Sequence, residues 1–365
     1  MDYERLVRPQ VAALKPYTPG TTVSQARATY GLETFVKLSS NENPLGTSPL
    51  AAAALRAMDD LQIYVDDDHP ELRRRLAEPY GLGVEHVLVG HGSNDVVRTL
   101  FTAYLAPGDE VVMADPTFSL FPKDAVLFDA RPVEVPLRDG VHDLEAMLAA
   151  ITPRTKMVVV VDPNNPTSTR VDPADFDRFV RALPEQLILL VDQAYREYMP
   201  PGSLEAADYV ARRPATVVLR THSKLYGLAS LRFGYALGDP TLLGYAQRIR
   251  LPFNVSRPAA VAALAALDDE AFRRRSLQTN EAGKAFYAEQ LPRLGLHAYP
   301  TAANFIAVEV PGSAGDAYQA LLRQGIVTRS GDALRMPGRL RITIGTPEQN
   351  ARVIDALATL VAAPA

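Results

Sequence analysis

The 365-residue sequence contains no cysteine and no tryptophan. Without cysteine there can be no disulfide framework, no thiolate ligand for a metal and no cysteine nucleophile. The lack of disulfides fits a reducing compartment, and the first ten residues show no apolar stretch behind a basic head. We therefore expect no secretory signal and a cytoplasmic location.

Neither sign of charge dominates, because 38 Lys and Arg residues face 42 Asp and Glu residues, for a net charge of -4. Nucleic acids and anionic membrane surfaces are bound by an excess of positive charge, so neither is a predicted partner. Long hydrophobic runs are also missing. Segments such as 157–161 and 187–191 fall far short of the roughly 20 residues needed to cross a bilayer, and suit buried strands instead.

The sequence lacks the characteristic motifs of two classes of hydrolase. The six histidines form no pair at the i, i+4 spacing of a zinc hydrolase, and no metal is predicted. The Gly-x-Ser-x-Gly elbow of serine hydrolases is also missing from the sequence.

Short apolar runs at 87–89, 111–113, 157–161, 187–191, 217–219 and 233–237 predict strands. Several are apolar throughout, which is typical of strands covered by helices on both faces. Amphipathic segments at 93–105, 143–151 and 173–183 predict the crossover helices that parallel strands require. The region from about residue 50 to 255 is therefore predicted to be α/β, with a mostly parallel sheet.

After residue 252 the pattern changes to an Ala-rich helix, a long charged helix at 270–291, and then an α+β arrangement. The length alone suggests about two domains. The first forty residues are rich in Pro, Thr and Gly and predict an arm that packs on a domain or a partner subunit. We expect an arm with part of the small domain at 1–45, a large domain at 46–252 and a small domain at 253–365.

Ligands in open α/β sheets bind beyond the carboxyl ends of strands, where this sequence carries several polar residues. The first group is a Gly-His-Gly-Ser-Asn-Asp turn at 90–95. Its glycines permit a tight turn, Ser93 could cap the following helix, and free helix amides suit a phosphate. An ordinary turn and an incomplete dinucleotide motif, with Asp95 in place of the third glycine, remain open.

Two further groups carry an amide and a carboxylate. Asn165 lies in a Pro-bounded turn, from which its amide could donate to a phenolate or carboxylate. Asp192 follows an apolar strand, where a buried carboxylate needs a protonated pyridine nitrogen, an arginine or a metal such as Mg²⁺ opposite it. A helix cap or a buried ion pair would explain Asp192 equally well.

The remaining groups are cationic. Lys224 lies between a strand and a Gly-containing loop, where a lowered pKa would make its amine a nucleophile. Arg232 adds a fixed cation nearby. Arg329 and Arg341 each lie in a strand-like run, and a planar guanidinium suits carboxylate or phosphate. Each residue taken alone is also compatible with an ordinary surface charge.

In their order along the chain these segments resemble the fold-type I aminotransferases, which use pyridoxal 5'-phosphate. The resemblance runs from the Leu-Lys-Pro-Tyr stretch at 14–17, through 38–46, to 341–346. It implies a large domain whose mostly parallel seven-stranded sheet is flanked by helices, and a smaller α+β C-terminal domain. The turns at 92–94 and 164–167, the stretch at 192–195 and the run at 220–234 are most similar to the histidinol-phosphate branch.

The resemblance implies a role for each candidate cofactor-binding residue. Lys224 would bond to the cofactor's aldehyde and then carry the proton between substrate and cofactor, while Asp192 would pair with the pyridinium nitrogen. Asn165 and Tyr195 would donate to the phenolate oxygen, and Phe118 would stack on the ring. The phosphate would be held by Ser93, Asn94, Ser223 and Arg232, with Tyr64 reaching it from the neighbouring subunit of a homodimer.

The implied reaction moves the amino group of L-histidinol phosphate to 2-oxoglutarate, giving imidazole acetol phosphate and L-glutamate. Arg341 would bind the glutamate carboxylate or the substrate phosphate, with Arg329 and Tyr17 as further phosphate ligands. An aromatic amino-acid aminotransferase and a threonine-phosphate decarboxylase remain open. A nicotinamide-dependent dehydrogenase is more distant, since it leaves Lys224 and Asp192 unexplained.

Three positions depart from the family's pattern. The usual Tyr-Pro-Asp-Gly is replaced by Tyr-Val-Asp-Asp-Asp at 64–68, a Glu is replaced by Gln193, and a Gly is replaced by Ser168. We expect Gln193 to lie at the surface or behind the site. The backbone at Ser168 must either do without the conformational freedom of glycine or shift slightly.

Overall fold

The computed structural model describes residues 3–12, 14–16 and 23–362. Its strands are β1 Val36–Lys37, β2 Val87–His91, β3 Glu110–Asp115, β4 Arg131–Pro136, β5 Thr155–Val161, β6 Ile188–Asp192, β7 Thr216–Thr221, β8 Phe233–Gly238, β9 Phe305–Glu309, β10 Ile326–Val327, β11 Arg329–Ser330 and β12 Arg339–Thr343. Its helices are α1 Pro9–Ala12, α2 Val23–Tyr30, α3 Pro49–Arg56, α4 Pro70–Ala77, α5 Ser93–Tyr104, α6 Leu120–Leu127, α7 Leu144–Ala149, α8 Pro173–Ala182, α9 Pro240–Gln247, α10 Arg257–Leu267, α11 Glu270–Arg293, α12 Ala314–Arg323 and α13 Pro347–Ala362.

Seven strands form the main sheet in the order β2-β8-β7-β6-β5-β3-β4. Strand β8 runs antiparallel to its neighbours β2 and β7, and the other pairs are parallel. The central strands β6 and β7 are buried along their whole length, because helices cover both faces of the sheet. The expected α/β fold with a mostly parallel seven-stranded sheet is confirmed.

Strand β4 was not predicted from the sequence. It carries Pro132 and Pro136, which cannot donate to a hydrogen-bonded ladder, and its burial alternates weakly. The structure places β4 at the edge of the main sheet, paired only with β3. An edge strand tolerates proline, and this explains why its sequence looks unlike the central strands.

Local signals set where two of the surrounding helices begin. At α8 the Asp172 side chain accepts hydrogen bonds from backbone amides of the first turn, and Pro173 follows it. Asp239 and Pro240 repeat this arrangement at α9. An Asp cap followed by Pro at the first helical position satisfies free amides and fixes the entering backbone, so both helices start at a defined residue.

A second, three-stranded sheet has the order β11-β12-β9 and is antiparallel. It shares a core with the helices α11, α12 and α13, in which Tyr287, Leu321, Ile342 and Val353 are buried. Strand β1 pairs with β10 beside this sheet, so the chain just before residue 38 lies with the C-terminal part. In the described part of the chain, no helix is long and apolar enough to cross a membrane.

Helix α10 follows the predicted domain boundary at residue 252. Its residues Ala259 and Ala263 nevertheless pack in the same core as Val89 of the main sheet. The predicted boundaries at 45 and 252 stay a prediction, and this packing favours a second boundary beyond α10.

Glu110 ties together the beginnings of three neighbouring strands. It begins β3, its side chain is fully buried, and its carboxylate accepts a hydrogen bond of 2.6 Å from Thr152 Oγ1. Arg131, the first residue of β4, and Arg154, just before β5, also donate to it. The Thr152 hydrogen bond and the two arginines outweigh burial and lower the Glu110 pKa from 4.5 to about 2.

We expect Glu110→Gln to lower the free energy of unfolding by about 2 kcal/mol at pH 7, because charged hydrogen bonds are lost. Since the folded pKa is depressed, the carboxylate's contribution is full above pH 4.5 and is lost as the pH falls towards 2. Denaturant unfolding at pH 7 and pH 3 measures both effects. The control Glu71→Gln removes an exposed pair with Arg74 and should change little. Equal effects in the two variants would contradict the structural role of Glu110.

Candidate active site

A cavity of about 630 Å³ opens at the carboxyl ends of the parallel strands, between the main sheet and the three-stranded sheet. Eleven of the thirteen predicted site residues line it: Ser93, Asn94, Phe118, Asn165, Asp192, Tyr195, Ser223, Lys224, Arg232, Arg329 and Arg341. Tyr17 lies outside the described residues. Tyr64 does not line the cavity; it is 79% exposed and stacks on Phe253.

Lys224 follows β7 and lines the cavity. Its Nζ donates to the backbone oxygen of Ser40 at 3.2 Å and lies 5.5 Å from the centre of the Tyr195 ring. A carbonyl orients the amine without neutralising its charge. The amine is therefore held at the cavity surface, where a reacting group could approach it.

Asp192 ends β6 and is 5% exposed. One carboxylate oxygen accepts a hydrogen bond of 3.0 Å from the Ala194 amide. Burial raises the Asp192 pKa from 3.8 to about 6, and the Ala194 bond and the charges of Lys224 and Arg220 only partly oppose it. A buried carboxylate that lines a cavity in this way fits a ligand with positive charge.

Asn165 and Tyr195 are oriented by neighbours from outside the main sheet. Arg341 Nη1 donates to Asn165 Oδ1 at 2.7 Å, and because a guanidinium only donates, the Asn165 amide nitrogen is left to donate elsewhere. Asn41 Nδ2 donates to the Tyr195 hydroxyl at 2.9 Å, which leaves the hydroxyl proton for another acceptor. The two side chains thus offer donors to an anionic oxygen in the cavity.

The beginning of α5 forms an anion-binding corner. Gly92 occupies the N-cap with φ 79°, and a Cβ atom there would collide with the Arg232 guanidinium. The same Arg232 donates to Ser223 Oγ at 3.4 Å and to the backbone oxygen of Ala229 at 3.0 Å. Free amides at a helix start, a guanidinium and a hydroxyl together suit a phosphate.

The predicted cap at Ser93 is wrong. Gly92 takes that position because glycine adopts the left-handed backbone that the turn needs, and Ser93 becomes the first helical residue. Its side chain lines the cavity instead of closing the helix.

These features fit pyridoxal phosphate at both ends. The corner at α5 suits the phosphate, and the buried carboxylate of Asp192 suits the pyridinium nitrogen. Between them lie the amine of Lys224, the ring of Phe118 and the donors of Asn165 and Tyr195. Within residues 3–12, 14–16 and 23–362, no group of three or more His, Asp and Glu side chains could hold a metal ion.

Gln193 is fully buried, so a surface position for this residue is wrong. Its amide nitrogen donates to the Leu204 oxygen at 3.0 Å, and its amide oxygen accepts from the Ala206 amide at 3.2 Å. An ionised glutamate could accept a hydrogen bond here but could not donate one. The side-chain amide of Gln193 therefore satisfies both backbone groups, the Leu204 oxygen and the Ala206 amide. The substitution therefore lies behind the site, where the Gln193 side chain holds the loop at 204–206.

Ser168 keeps the left-handed backbone that glycine favours, with φ 62°. It is fully buried, and among the described residues its hydroxyl has no hydrogen-bond partner. Its amide donates to the Asn164 oxygen at 2.8 Å and its own oxygen accepts from Ala302. These backbone contacts hold the turn that presents Asn165, and Ser168 takes the backbone conformation that glycine would adopt freely.

Asn41 and Arg335 are site residues that no chemical signal in the sequence indicates. Asn41 lies in the loop at 38–46, which resembles the family. Its side-chain amide contacts Tyr195, and its backbone amide donates to Thr343 Oγ1. Arg335 also lines the cavity. Both residues contact partners that are 154 to 302 positions away along the chain, so no sequence spacing reveals these contacts.

Asp192→Asn should stabilise the cofactor-free protein by about 1 to 3 kcal/mol at pH 8. The pKa of Asp192 is raised in the folded protein. The free-energy penalty of burying its charge is therefore absent below pH 3.8 and grows as the pH rises through about 6. The gain from Asn should therefore vanish near pH 4. Denaturant unfolding of the cofactor-free proteins measures it, with Asp175→Asn on the surface of α8 as the unaffected control. A less stable Asn variant at pH 8 would contradict a net free-energy penalty for the buried charge of Asp192.

The family model of class I and II aminotransferases matches residues 33–357. Histidinol-phosphate aminotransferase of Moorella thermoacetica is 41% identical over 97% of this chain and 93% of its own. Histidinol-phosphate aminotransferase 2 of Pseudomonas aeruginosa is 42% identical over 99% of both chains.

Solved structures agree with this likeness. Histidinol-phosphate aminotransferase from Sinorhizobium meliloti, in complex with pyridoxal-5'-phosphate, superimposes with a TM-score of 0.88 at 26% identity, over 97% of each chain. Aspartate aminotransferase from Thermus thermophilus with maleate superimposes with a TM-score of 0.83 at 25% identity, over 97% of this chain and 99% of the other. The chain therefore belongs to the class I and II aminotransferase family.

Proposed function

We propose that this protein is a pyridoxal-phosphate-dependent aminotransferase that moves the amino group of L-histidinol phosphate to 2-oxoglutarate, giving imidazole acetol phosphate and L-glutamate. The observation that carries the proposal is one cavity that joins Lys224, Asp192 and the anion-binding corner at α5. The names of the relatives at about 40% identity support the substrate. A dehydrogenase explains neither Lys224 nor Asp192.

Pyridoxal phosphate, when bound, supplies an electron sink for the bonds that break at the substrate carbon. Asp192 would keep a positive charge on the ring nitrogen, since its buried carboxylate gains most from such a partner. Asn165 and Tyr195 would donate to the ring's oxygen, and Arg232 with the α5 amides would hold the phosphate. The Lys224 amine would accept the proton from the substrate carbon at Nζ and deliver it to the cofactor, so that the proton moves between two carbons as transamination requires.

Substrate binding is assigned to the three-stranded sheet. Arg329 of β11 and Arg341 of β12 are direct cross-strand partners, and both line the cavity. Arg341 is 8% exposed and is held by the Ser39 oxygen at 2.7 Å, so its guanidinium has a fixed direction. Such a group can bind the carboxylate of glutamate in one half-reaction and a phosphate in the other, and Arg329 would add charge for the phosphate.

A homodimer would complete the site. Leu61, Ile63 and Leu251 are all more than half exposed and lie within three residues of Tyr64 or Phe253 along the chain, and the rings of Tyr64 and Phe253 stack on each other. Exposed apolar side chains that gather in one region favour a protein interface. Asp67 holds the altered loop by pairing with Arg250, at 2.7 Å, and with the Phe253 amide. We infer that Tyr64 reaches the cofactor phosphate of the partner subunit. We also propose that the protein is located in the cytoplasm.

Lys224→Ala should lower the transamination rate at least about 1,000-fold while leaving the fold intact, because it removes the reacting amine. Steady-state kinetics with histidinol phosphate and 2-oxoglutarate, together with circular dichroism, measure both. Lys284→Ala is the matched control: Lys284 also donates to a backbone oxygen, that of Tyr198, and does not line the cavity. Near-normal turnover in the Lys224 variant would remove the central assignment.

Arg329→Ala should reduce kcat/KM for histidinol phosphate by about 10- to 100-fold, since a charged hydrogen bond to phosphate contributes about 1.5 to 3 kcal/mol. The glutamate half-reaction should change less than about threefold. Arg341→Ala provides the comparison, because it should weaken both substrates. Single-turnover kinetics of each half-reaction separate the two. Equal losses for both substrates in the Arg329 variant would argue against this division of roles.

A further inference from the structure

Arg335 lies at the mouth of the cavity, in the loop 331–338 that joins β11 to β12. Its backbone has φ 58°, a left-handed conformation that glycine adopts freely and that costs other residues free energy. A long charged side chain in such a conformation persists only where its surroundings compensate, and such positions gather at functional sites.

The Arg335 guanidinium contacts two carboxylates of the main sheet. Its Nη2 donates to Asp115 Oδ2 at 2.7 Å, and its Nη1 donates to Glu134 Oε1. Asp115 ends β3 and Glu134 lies in the edge strand β4, and both line the cavity. One side chain therefore bridges the three-stranded sheet to the main sheet beside the cavity.

The loop that carries Arg335 is rigid enough to transmit its position. The amides of Leu334 and Met336 both donate to the Gly331 oxygen at 2.8 Å, and the Gly331 amide donates to the Arg339 oxygen at 2.8 Å. A Cβ atom on Gly331 would collide with the Met336 and Arg339 backbone oxygens. This packed turn continues directly into β11 and β12, the strands that carry the two arginines assigned to the substrate.

Stability of the fold does not account for Arg335. Its side chain is 56% exposed, and those of Asp115 and Glu134 are 26% and 29% exposed. Ion pairs this open to water contribute little to stability, and the left-handed backbone opposes it. The location of the bridge, across the cavity mouth between two sheets, points to the geometry of the site instead.

We propose that Arg335 is a positioning residue that fixes the β11–β12 hairpin against the main sheet by bridging Asp115 and Glu134. The hairpin holds the substrate's anionic group, whereas Lys224 belongs to the main sheet. Reacting atoms must approach to about 3 to 3.5 Å, so a hairpin free to move would misplace the substrate relative to the Lys224 amine. This role rests on the proposed function, because it concerns the same cavity and the same substrates.

Three variants of the full-length holoenzyme test the role: Arg335→Gln, Arg335→Lys and Arg335→Gly. We expect Arg335→Gln to lower kcat/KM about 5- to 50-fold for both histidinol phosphate and glutamate, and Arg335→Lys, which keeps a positive charge, to lose less. Arg335→Gly removes the bridge but relieves the left-handed backbone, so it should lose as much activity as Gln with no fall in melting temperature. Activity that follows the melting temperature, or that stays at the wild-type level, would overturn the proposal.

One control variant and one double variant isolate the bridge. Glu309→Gln removes an ion pair with Arg339, the first residue of β12, but both partners belong to the three-stranded sheet and the Arg339 guanidinium keeps its contact with the Tyr299 ring, so the kinetics should match the wild type. Glu134→Gln should lower kcat/KM in the same direction as Arg335→Gln. The double variant should lose no more than the Arg335 variant alone, because the two residues act as one unit. Additive losses would contradict a shared bridge.

Measuring the two half-reactions separately distinguishes an error in the positioning role of Arg335 from an error in the proposed function. If the wild type converts glutamate but not histidinol phosphate, the proposed substrate is wrong, and glutamate kinetics still test Arg335. If the wild type converts both substrates and the Arg335 variants match it, the positioning role alone is overturned.

Discussion

The burial of one carboxylate, that of Asp192, is the constraint around which the site is built. The buried strands β5 and β7 flank β6, and burial raises the Asp192 pKa to about 6 although the charges of Lys224 and Arg220 partly oppose the shift. Without a cationic partner such a group weakens the fold. A ring nitrogen that carries a proton reverses this penalty, so the same burial that destabilises the cofactor-free protein would strengthen cofactor binding and keep the ring electron-poor.

The site also requires that the main sheet and the three-stranded sheet keep a fixed position relative to each other. The main sheet supplies Asp192, Lys224 and the corner at α5, and the three-stranded sheet supplies the arginines. Direct hydrogen bonds join them: Arg341 donates to Asn165, and Asn41 donates to Tyr195 from a loop that also contacts β12. Since Arg341 orients the Asn165 amide, the group assigned to substrate binding also orients a group assigned to the cofactor.

Much of this architecture could be predicted from the sequence, because buried parallel strands leave continuous apolar runs and polar residues at their ends mark the ligand edge. The roles proposed for Lys224 and Asp192 come from the resemblance, since each residue taken alone is also compatible with an ordinary charge. Strand β4 was missed because edge strands tolerate proline. Neighbours distant in sequence determine the burial of Gln193 and the contacts of Asn41 and Arg335. The helix cap at Gly92 depends on a backbone angle. Neither kind of feature leaves a periodic pattern in the sequence.

The most direct test of the account is an absorbance spectrum of the purified protein with pyridoxal phosphate, followed by separate additions of L-glutamate, histidinol phosphate and phenylalanine. A covalent bond between the cofactor and Lys224 predicts a visible band that glutamate removes, and that histidinol phosphate removes faster than phenylalanine does. Absence of a visible band would contradict the assignment of Lys224 and with it the cofactor site. Faster loss with phenylalanine would contradict the proposed substrate.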